Sequence, residues 1–231
     1  MIPGKALVLS AVRYQEKSLV VSCFTAEIGR KSFFVRDAFS GKANKFKSSY
    51  FEPLTQLEIV ATNKQKGTLE YFKEVKLHYA YQQIPHHFVK RSLALFLAEI
   101  LNQVIKEEEA NDTLFAFLEN SLLILDETAE TAIFPLQFLL NLSSYLGFYP
   151  DFSAEASFFD LKYGVFQDHE SDYTLSESES QLFRNLGLGN SNNFTKLERR
   201  AVLNSILEFY AHHIDHFKRP KSLDVLAELF G

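Results

Sequence analysis

Two sets of side chains in this 231-residue sequence could do chemistry, and the first lies near the C-terminus. Glu208, His212 and His216 stand at i, i+4 and i+8 in "ILEFYAHHIDHFKRP", a spacing that places them on one face of a helix. Carboxylate and imidazole groups in that arrangement are typical of a metal site. However, Pro220 predicts that the helix ends soon afterwards, and the His-Glu-x-x-His order of a zinc protease is absent. We predict no metal ligands and keep a metal-dependent enzyme using these three residues as an alternative.

The second set combines cations with aromatic rings in the loops of the N-terminal third. Single-stranded nucleic acid needs both groups, because cations contact the phosphates and flat rings stack on unpaired bases for about 1–3 kcal/mol each. The other interpretation is that the rings close a small barrel while the lysines keep a loop solvated, and the sequence leaves both open. The predicted DNA-binding residues are Arg13, Lys17, Arg30, Lys31, Arg36, Lys42, Lys45, Lys47, Phe39, Phe46 and Tyr50.

Charge divides the chain into a basic and an acidic part. The whole sequence has a formal net charge of -5, yet residues 1–80 contain 13 Lys and Arg against 7 Asp and Glu. Residues 81–231 contain 11 Lys and Arg against 22 Asp and Glu. Local charge, rather than the total, determines what a surface attracts. The basic part either binds a polyanion or pairs with the protein's own acidic part.

The elements that position these side chains begin with strands. The stretches "LVLSAV" and "LVVSCF" alternate with a period of two, and "KSFFVRDAF", "LTQLEIVAT" and "TLEYFKEVKLHY" are rich in β-branched and aromatic residues. Five short strands leave exposed edges as an open sheet, so closure into a barrel is favoured. We predict an OB-fold β-barrel, with an SH3-like barrel as the alternative.

Beyond Pro85 the hydrophobic period becomes that of helices. An apolar stripe at i, i+4, i+7, i+8 and i+11 begins at Leu93. The segment 148–178 fits neither period, and "SFFDLKYGVFQ" within it predicts a small inserted β-hairpin. The predicted fold is α+β, with a barrel domain over 1–80 and an all-α helical bundle over 81–231. Further helices are predicted near Asn111–Glu127, Ile133–Leu146, Ser176–Leu186, Thr195–His213 and Ser222–Phe230.

The sequence lacks the motifs that are typical of several classes of protein. Cys23 is the one cysteine, so neither an intrachain disulfide nor a multi-cysteine zinc site can form. No apolar run approaches the roughly 18 residues of a membrane span. The loop "GLGNSN" has no Lys and follows no strand, unlike a phosphate-binding loop, and no Gly-x-Ser-x-Gly elbow occurs. We expect a cytoplasmic protein that is not an enzyme and uses no cofactor.

Three stretches resemble those of a known family. "KALVLSAVRYQEKSLVVSCFTAEIGRKSFFVRDA" contains a strand, an acidic turn, a second strand ending in Thr and a Gly-Arg turn. "YLGFYPD" resembles a Gly-aromatic-x-Pro segment that ends a central helix, and "KSLDVLAEL" resembles a last helix. In these features, which span the chain, the sequence is similar to the bacterial DNA repair and recombination mediator family RecO.

One family feature is missing. Many members carry a four-cysteine zinc module directly after the Gly-aromatic-x-Pro segment, whereas "DFSAEASFFDLKYGVFQ" contains no cysteine. We therefore carry over no zinc ligands. Aromatic packing is expected to stabilise the insertion instead, through Phe158, Phe159, Tyr163 and Phe166.

The resemblance also implies a function and partners. It implies a protein that binds single- and double-stranded DNA, promotes strand annealing, helps load RecA, and associates with the nucleoid during repair. The implied partners are RecR, RecF and the acidic C-terminal tail of single-stranded-DNA-binding protein. Arg199 and Arg200, beside Val202 and Leu203, are predicted to bind that tail, because such a peptide needs a cation and an apolar floor. A protein-binding adaptor without nucleic-acid binding is the alternative.

Overall fold

A computed structural model describes residues 1–39, 46–63, 69–106 and 109–223. By their contacts, residues Met1–Glu127 form one compact unit and the residues from Thr128 onward form a second. The predicted domain boundary at residue 80 marks the end of the strands. The first unit extends further because it also holds the first two helices.

The first unit is built on a five-stranded antiparallel sheet. Its strands are β1 (Ile2–Tyr14), β2 (Ser18–Thr25), β3 (Gly29–Val35), β4 (Gln56–Ala61) and β5 (Phe72–Leu77), in the spatial order β3-β2-β1-β4-β5. The sheet closes where the Phe34 N–H donates to the Glu70 carbonyl at 2.8 Å and the Glu70 N–H donates to the Ser32 carbonyl at 2.9 Å. With β1 paired to both β2 and β4, the closed sheet has the OB-fold arrangement, so that prediction is confirmed.

Phenylalanine rings fill the interior of the barrel. Phe33 and Phe72 stack with 4.2 Å between ring centroids, and Phe51, from a short 3-10 helix, stacks on Phe72 at 5.7 Å. Fully burying each such ring stabilises the fold by about 1.5–3 kcal/mol. Cys23 lies in the same core, where burial raises the pKa of its thiol and keeps it neutral.

Helices α1 (Phe88–Val104) and α2 (Asp112–Glu127) cover one side of the barrel. Leu7 and Leu9 of β1 lie outside the barrel core, yet they are only 2% and 1% exposed, because α1 contacts β1. On β2, Phe24 contacts Phe115 of α2 with 5.8 Å between ring centroids. The two helices therefore complete the hydrophobic core of the first unit.

A buried carboxylate fixes the connection from the strands to α1. Asp126 accepts hydrogen bonds from the N–H groups of Gln82, Gln83 and Ile84, each at 2.8 Å. The ammonium group of Lys90, itself buried, donates to the Asp126 carbonyl at 2.6 Å. Because buried polar groups are costly when unpaired, this network holds the chain in one path between the barrel and the helices.

As far as residue 223, where the described residues end, the second unit contains three helices and a hairpin. Its elements are α3 (Phe134–Tyr145), β6 (Phe158–Asp160), β7 (Val165–Gln167), α4 (Glu177–Gly187) and α5 (Lys196–His213). Capping boxes begin two of the helices, with Ser176 and Glu179 at α4 and Thr195 and Glu198 at α5. These elements confirm the predicted hairpin and three predicted helices, as α1 and α2 confirm two more. The predicted helix at 222–230 lies outside the described residues except at its first two positions.

The hairpin is held by packed aromatic rings. Phe159 lies 4.4 Å from Phe183, 5.1 Å from Phe166 and 5.5 Å from Phe209, measured between ring centroids. The predicted packing role is therefore confirmed for Phe159 and Phe166. It is wrong for Tyr163, which is 67% exposed, because it occupies the turn between the two strands. Phe158 is only half-buried, since alternate residues of a strand face opposite sides.

Among the described residues, no helix is both long and apolar enough to cross a membrane.

Candidate nucleic-acid interface

The part of the barrel's outer surface that α1 and α2 do not cover leaves sheet residues accessible. Val12, Val20 and Phe34 lie in register on β1, β2 and β3, and all three face outward. Val12 is 63% exposed, while Val20 and Phe34 are half-buried. We call this accessible surface the open face. A ligand can reach the sheet there, whereas α1 and α2 cover outward-facing residues further along the same strands, such as Leu7 and Phe24.

Three rings form a row on the open face. Tyr14, at the end of β1, meets Phe34 with 5.9 Å between ring centroids, and Phe34 meets Tyr71, just before β5, at 6.1 Å. Both contacts are edge-to-face, and Tyr14 and Tyr71 are 50% and 39% exposed. We call Tyr14, Phe34 and Tyr71 the outer aromatic row. This row was not among the predicted residues, because cations and rings alternate in the loops, whereas these rings belong mainly to strands. The signal in the sequence is the adjacent pair Phe33 and Phe34, which must face opposite sides of a strand.

Four of the predicted cations are exposed. The Arg13 guanidinium lies 4.7 Å from the centroid of the Phe39 ring and donates to the Glu16 carbonyl at 3.0 Å. Phe39 is 46% exposed, so this predicted pair of cation and ring is accessible to a ligand. Lys31 is half-buried, and Lys42 and Lys45 lie outside the described residues. The exposed ones, among the predicted cations that the structure describes, are Arg13, Lys17, Arg36 and Lys47.

Arg30 has an internal role in the structure. Its guanidinium donates to the Ser22 hydroxyl at 3.1 Å, to the carbonyls of Asn102 and Ile105 at 2.8 and 2.5 Å, and to the Asn102 side-chain oxygen at 2.8 Å. Four of its five N–H groups are thereby used, three of them at the C-terminal end of α1, and partial burial lowers its pKa. The favourable position of a cation at a helix C-terminus explains this arrangement.

Two predicted base-stacking rings close the barrel. Phe46 lies 6.4 Å from Phe51 and 6.3 Å from Phe72, both edge-to-face, measured between ring centroids. Tyr50 is half-buried and packs against the same core. The sequence left open whether these rings stack on bases or close the barrel. For Phe46 and Tyr50 the structure shows that they close the barrel.

One cation of the barrel pairs with an acidic residue of α2. The Lys5 ammonium lies 2.9 Å from the Glu119 carboxylate. The same carboxylate oxygen lies 3.1 Å from Nε2 of His78, whose Nδ1 is 3.2 Å from Glu58. Part of the positive charge of residues 1–80 is thus neutralised inside the first unit.

The predicted tail-binding arginines differ in their surroundings. Arg199 donates to the Phe194 carbonyl at 2.6 Å, whereas Arg200 is exposed. Val202 and Leu203, the expected apolar floor, are only 1% and 6% exposed because they face the core of the second unit. That floor is therefore not accessible to a peptide.

The residues of the hypothetical metal site do not share a helix. Helix α5 ends at His213, and His216 follows with a φ of 62°, outside the helical range. The predicted single face through Glu208, His212 and His216 is thus wrong, because the chain leaves the helix before its third member. His213 instead stacks on Phe148 with 5.1 Å between ring centroids, and burial lowers its pKa. The described residues contain no group of three or more His, Cys, Asp or Glu side chains placed to hold a metal ion.

The barrel and its open face place the protein in the class of OB-fold proteins with a basic, aromatic-bearing surface. A family model described as "Recombination protein O N terminal" matches residues 1–81, and one described as "Recombination protein O C terminal" matches residues 85–224. The chain belongs to the RecO family of DNA repair proteins.

Full-length relatives agree with this assignment. The chain is 46% identical to the DNA repair protein RecO of Flavobacterium psychrophilum, with 100% of this chain and 99% of the relative covered. The identity to the DNA repair protein RecO of Flavobacterium johnsoniae is 45%, with the same coverage. The DNA repair protein RecO of Bacteroides fragilis is 36% identical, with 97% of each chain covered.

The residues of the insertion do not fit the zinc module that the resemblance implies for many family members. That module needs four thiolates, and the single cysteine of the chain is Cys23, buried in β2. The buried rings around Phe159 occupy the interior of this segment instead.

Proposed function

We propose that this RecO-family protein is a recombination mediator that binds single- and double-stranded DNA through its barrel and catalyses no chemical step. It promotes annealing of complementary strands and, together with RecR, helps load RecA onto DNA coated by single-stranded-DNA-binding protein. RecF is a further proposed partner. The observation that carries this proposal is the set of exposed cations on the barrel, represented by Arg13, Lys17 and Arg36, in a chain of a DNA repair family.

Annealing follows from the same electrostatics. Complementary strands repel each other through their phosphates, and this repulsion opposes their meeting at low salt. Cations that neutralise phosphates release counterions and reduce the repulsion between the strands. A basic barrel can therefore promote pairing without reading the base sequence.

A salt titration tests DNA binding. The affinity of the full chain for an oligonucleotide is measured by filter binding over a range of salt concentrations. Each phosphate contact contributes about 0.7–0.9 to the log–log slope, so Lys17→Glu with Arg36→Glu should flatten it by about 1.5. A charge-matched control, Arg91→Glu with Lys196→Glu, changes exposed residues of two helices and should leave the slope unchanged. Equal slopes for both double variants would contradict the proposed surface.

The adaptor remains a second candidate because of a specific observation. Lys5 pairs with Glu119, and Arg30 binds the end of α1, so two barrel cations serve the protein's own helices. An adaptor whose basic residues all act in this way binds no DNA even at low salt. The same titration therefore separates the two candidates.

We place the proposed binding site for the acidic tail around Arg200. Leu197 is 75% exposed and precedes Arg200 by three residues, so both lie on one side of α5. Together they offer a cation and an apolar group, which an acidic peptide with an apolar end requires. Arg199 is proposed to support this site through its hydrogen bond to Phe194.

The tail site is tested with a peptide. Arg200→Glu should weaken binding of a peptide carrying the tail of single-stranded-DNA-binding protein at least tenfold, or about 1.4 kcal/mol, because the cation that meets its carboxylates becomes an anion. DNA affinity should change less than twofold, and Arg91→Glu serves as the charge-matched control. Normal peptide binding by Arg200→Glu would place the tail elsewhere.

A further inference from the structure

The outer aromatic row exposes more ring surface than the packing of the barrel requires. Tyr14 and Tyr71 are 50% and 39% exposed, whereas Phe33, the neighbour of Phe34 on β3, is fully buried in the core. Edge-to-face contacts at 5.9 and 6.1 Å join the three rings into one row. The row is thus an ordered aromatic surface rather than three isolated side chains.

The position of the row relative to the cations indicates its ligand. Arg13 precedes Tyr14, Arg36 follows Phe34 by two residues, and Lys17 lies in the turn between β1 and β2; all three cations are exposed. Glu16 and Asp37 lie in the same turns, so the local charge is mixed but includes these basic groups. A ligand that suits this surface has flat apolar groups alternating with anions.

We propose that the outer aromatic row stacks on unpaired bases and gives the barrel a preference for single-stranded over double-stranded DNA. This inference rests on the proposed DNA binding and adds the residues that distinguish the two forms of DNA. Exposed rings stack on unpaired bases of any sequence. In a duplex the faces of the bases are covered by their neighbours, so only the phosphates meet the barrel, and the cations bind both forms.

The proposal separates the contribution of the outer aromatic row from that of the exposed cations. The rings contribute to single-strand affinity without changing the number of phosphate contacts, so their removal leaves the salt slope unchanged. The cations contribute to the salt slope for both forms of DNA. Substituting the rings should therefore lower the affinity for single strands alone, whereas substituting the cations should change the salt slope for both forms of DNA.

Binding measurements with the full chain test the role of the rings. Tyr14→Ala with Tyr71→Ala should lower the affinity for a thymidine oligonucleotide at least tenfold, with an unchanged salt slope. The affinity for a duplex of equal length should change less than twofold. Tyr163→Ala removes a ring that is 67% exposed on the second unit and serves as the control, with no expected change for either DNA. The unfolding midpoint of each variant is measured in parallel.

Tyrosine fluorescence provides a second readout. The sequence contains ten tyrosines and no tryptophan, so tyrosine dominates the intrinsic fluorescence of the protein. Stacking of Tyr14 and Tyr71 on bases should quench part of that emission when the oligonucleotide binds. Tyr14→Phe with Tyr71→Phe keeps the rings, so it should bind as the unsubstituted protein does and lose this part of the quenching.

The possible results have distinct meanings. Equal losses of affinity for the oligonucleotide and the duplex, or no loss for either, would overturn the role of the row while leaving DNA binding intact. Retained oligonucleotide binding by the double alanine variant is also the result expected if the row contacts a protein. If the unsubstituted protein binds neither DNA at low salt, the proposed function fails, and this inference fails with it.

Discussion

Arg13 and Arg30 are both arginines of the barrel, and they have different surroundings. Arg13 is exposed and lies over Phe39, whereas Arg30 donates four hydrogen bonds to Ser22 and the end of α1. A guanidinium is suited to both situations, because its fork of donors binds phosphates or carbonyls equally well. The difference comes from α1, because Arg30 bonds to Asn102 near the end of that helix. The two residues are 72 positions apart in the sequence.

The internal role of Arg30 leads to a stability prediction. Arg30→Ala should lower the free energy of unfolding by about 2–3 kcal/mol, because hydrogen bonds from a charged donor are lost and the carbonyls of Asn102 and Ile105 are left unpaired. Arg13→Ala, the matched surface substitution, should cost less than about 1 kcal/mol. Urea denaturation measures both. Similar stabilities of the two variants would show that the contacts of Arg30 add little.

His213 should make the stability of the protein depend on pH. Burial against Phe148 and Phe209 lowers its pKa, and the hydrogen bond with the Leu161 carbonyl opposes this only in part. The unfolded chain, with a histidine pKa of about 6.5, therefore binds the proton more readily than the folded chain. Stability present above that pKa should be lost as the pH falls through about 6.5 toward the folded pKa.

A variant isolates this contribution. His213→Gln should lose less stability between about pH 7.5 and pH 5.5 than the unsubstituted protein does. Urea unfolding at the two pH values gives the comparison. The difference between the two proteins reports on this side chain alone, because every other residue is the same in both. Parallel pH dependences would exclude His213 as the cause.

At the scale of elements, β3 illustrates how a strand divides adjacent residues. Phe33 is fully buried and stacks on Phe72, while Phe34 faces outward between Tyr14 and Tyr71. The two residues are identical in type and consecutive in sequence. Only the alternation of the strand assigns one to the core and the other to the open face.

Substituting each of these two rings should lower the free energy of unfolding by different amounts. Phe33→Ala should cost about 3–5 kcal/mol of stability, since it removes a fully buried ring and leaves a cavity. Phe34→Ala should cost about 1 kcal/mol or less, because the ring is half-buried and loses mainly edge-to-face contacts. Thermal and urea unfolding test this pair directly. A larger cost for Phe34→Ala would mean that the open face is part of the core.

In the second unit, the inserted hairpin is stabilised by aromatic packing instead of a zinc module. Phe159 and Phe166 pack with Phe183 and Phe209 from α4 and α5. The Asp160 carboxylate, buried in the hairpin, accepts from the N–H groups of the turn at 2.9 Å. Aromatic burial and a satisfied turn therefore hold a segment that has no thiolates for a zinc ion.

At the scale of the molecule, the strands do not complete a core by themselves. Leu7, Leu9 and Phe24 face outward from the sheet and are buried only because α1 and α2 cover that side. Each of these side chains contributes about 1.5–3 kcal/mol when buried. The compact unit consequently extends to Glu127 rather than ending with the strands.

This organisation predicts how fragments behave. A fragment of residues 1–127 should unfold cooperatively, whereas a fragment of residues 1–80 should be unstable or aggregate, because three large apolar side chains become exposed. Circular dichroism melting of both fragments provides the measurement. A cooperative transition of the shorter fragment, with stability close to that of the longer one, would place the boundary of the folding unit at the end of the barrel.

Local patterns in the sequence determined which elements form. The period of two before residue 80 and the helical period after Pro85 predicted the barrel strands and α1 to α5, and the segment that fits neither period predicted the inserted hairpin. These patterns are local, because each strand or helix needs one apolar side that repeats over a few residues. The excess of Lys and Arg in residues 1–80 likewise predicted a basic barrel.

The tertiary structure alone decided which of those side chains remain accessible. Arg30 and Lys5 contact residues of α1 and α2, Phe46 packs against the barrel core, and the outer aromatic row assembles from β1, β3 and the residue before β5. Each of these contacts joins residues far apart in the chain. The same cation or ring can serve a ligand or the fold, and its role is set by what packs against it, which composition and spacing do not encode.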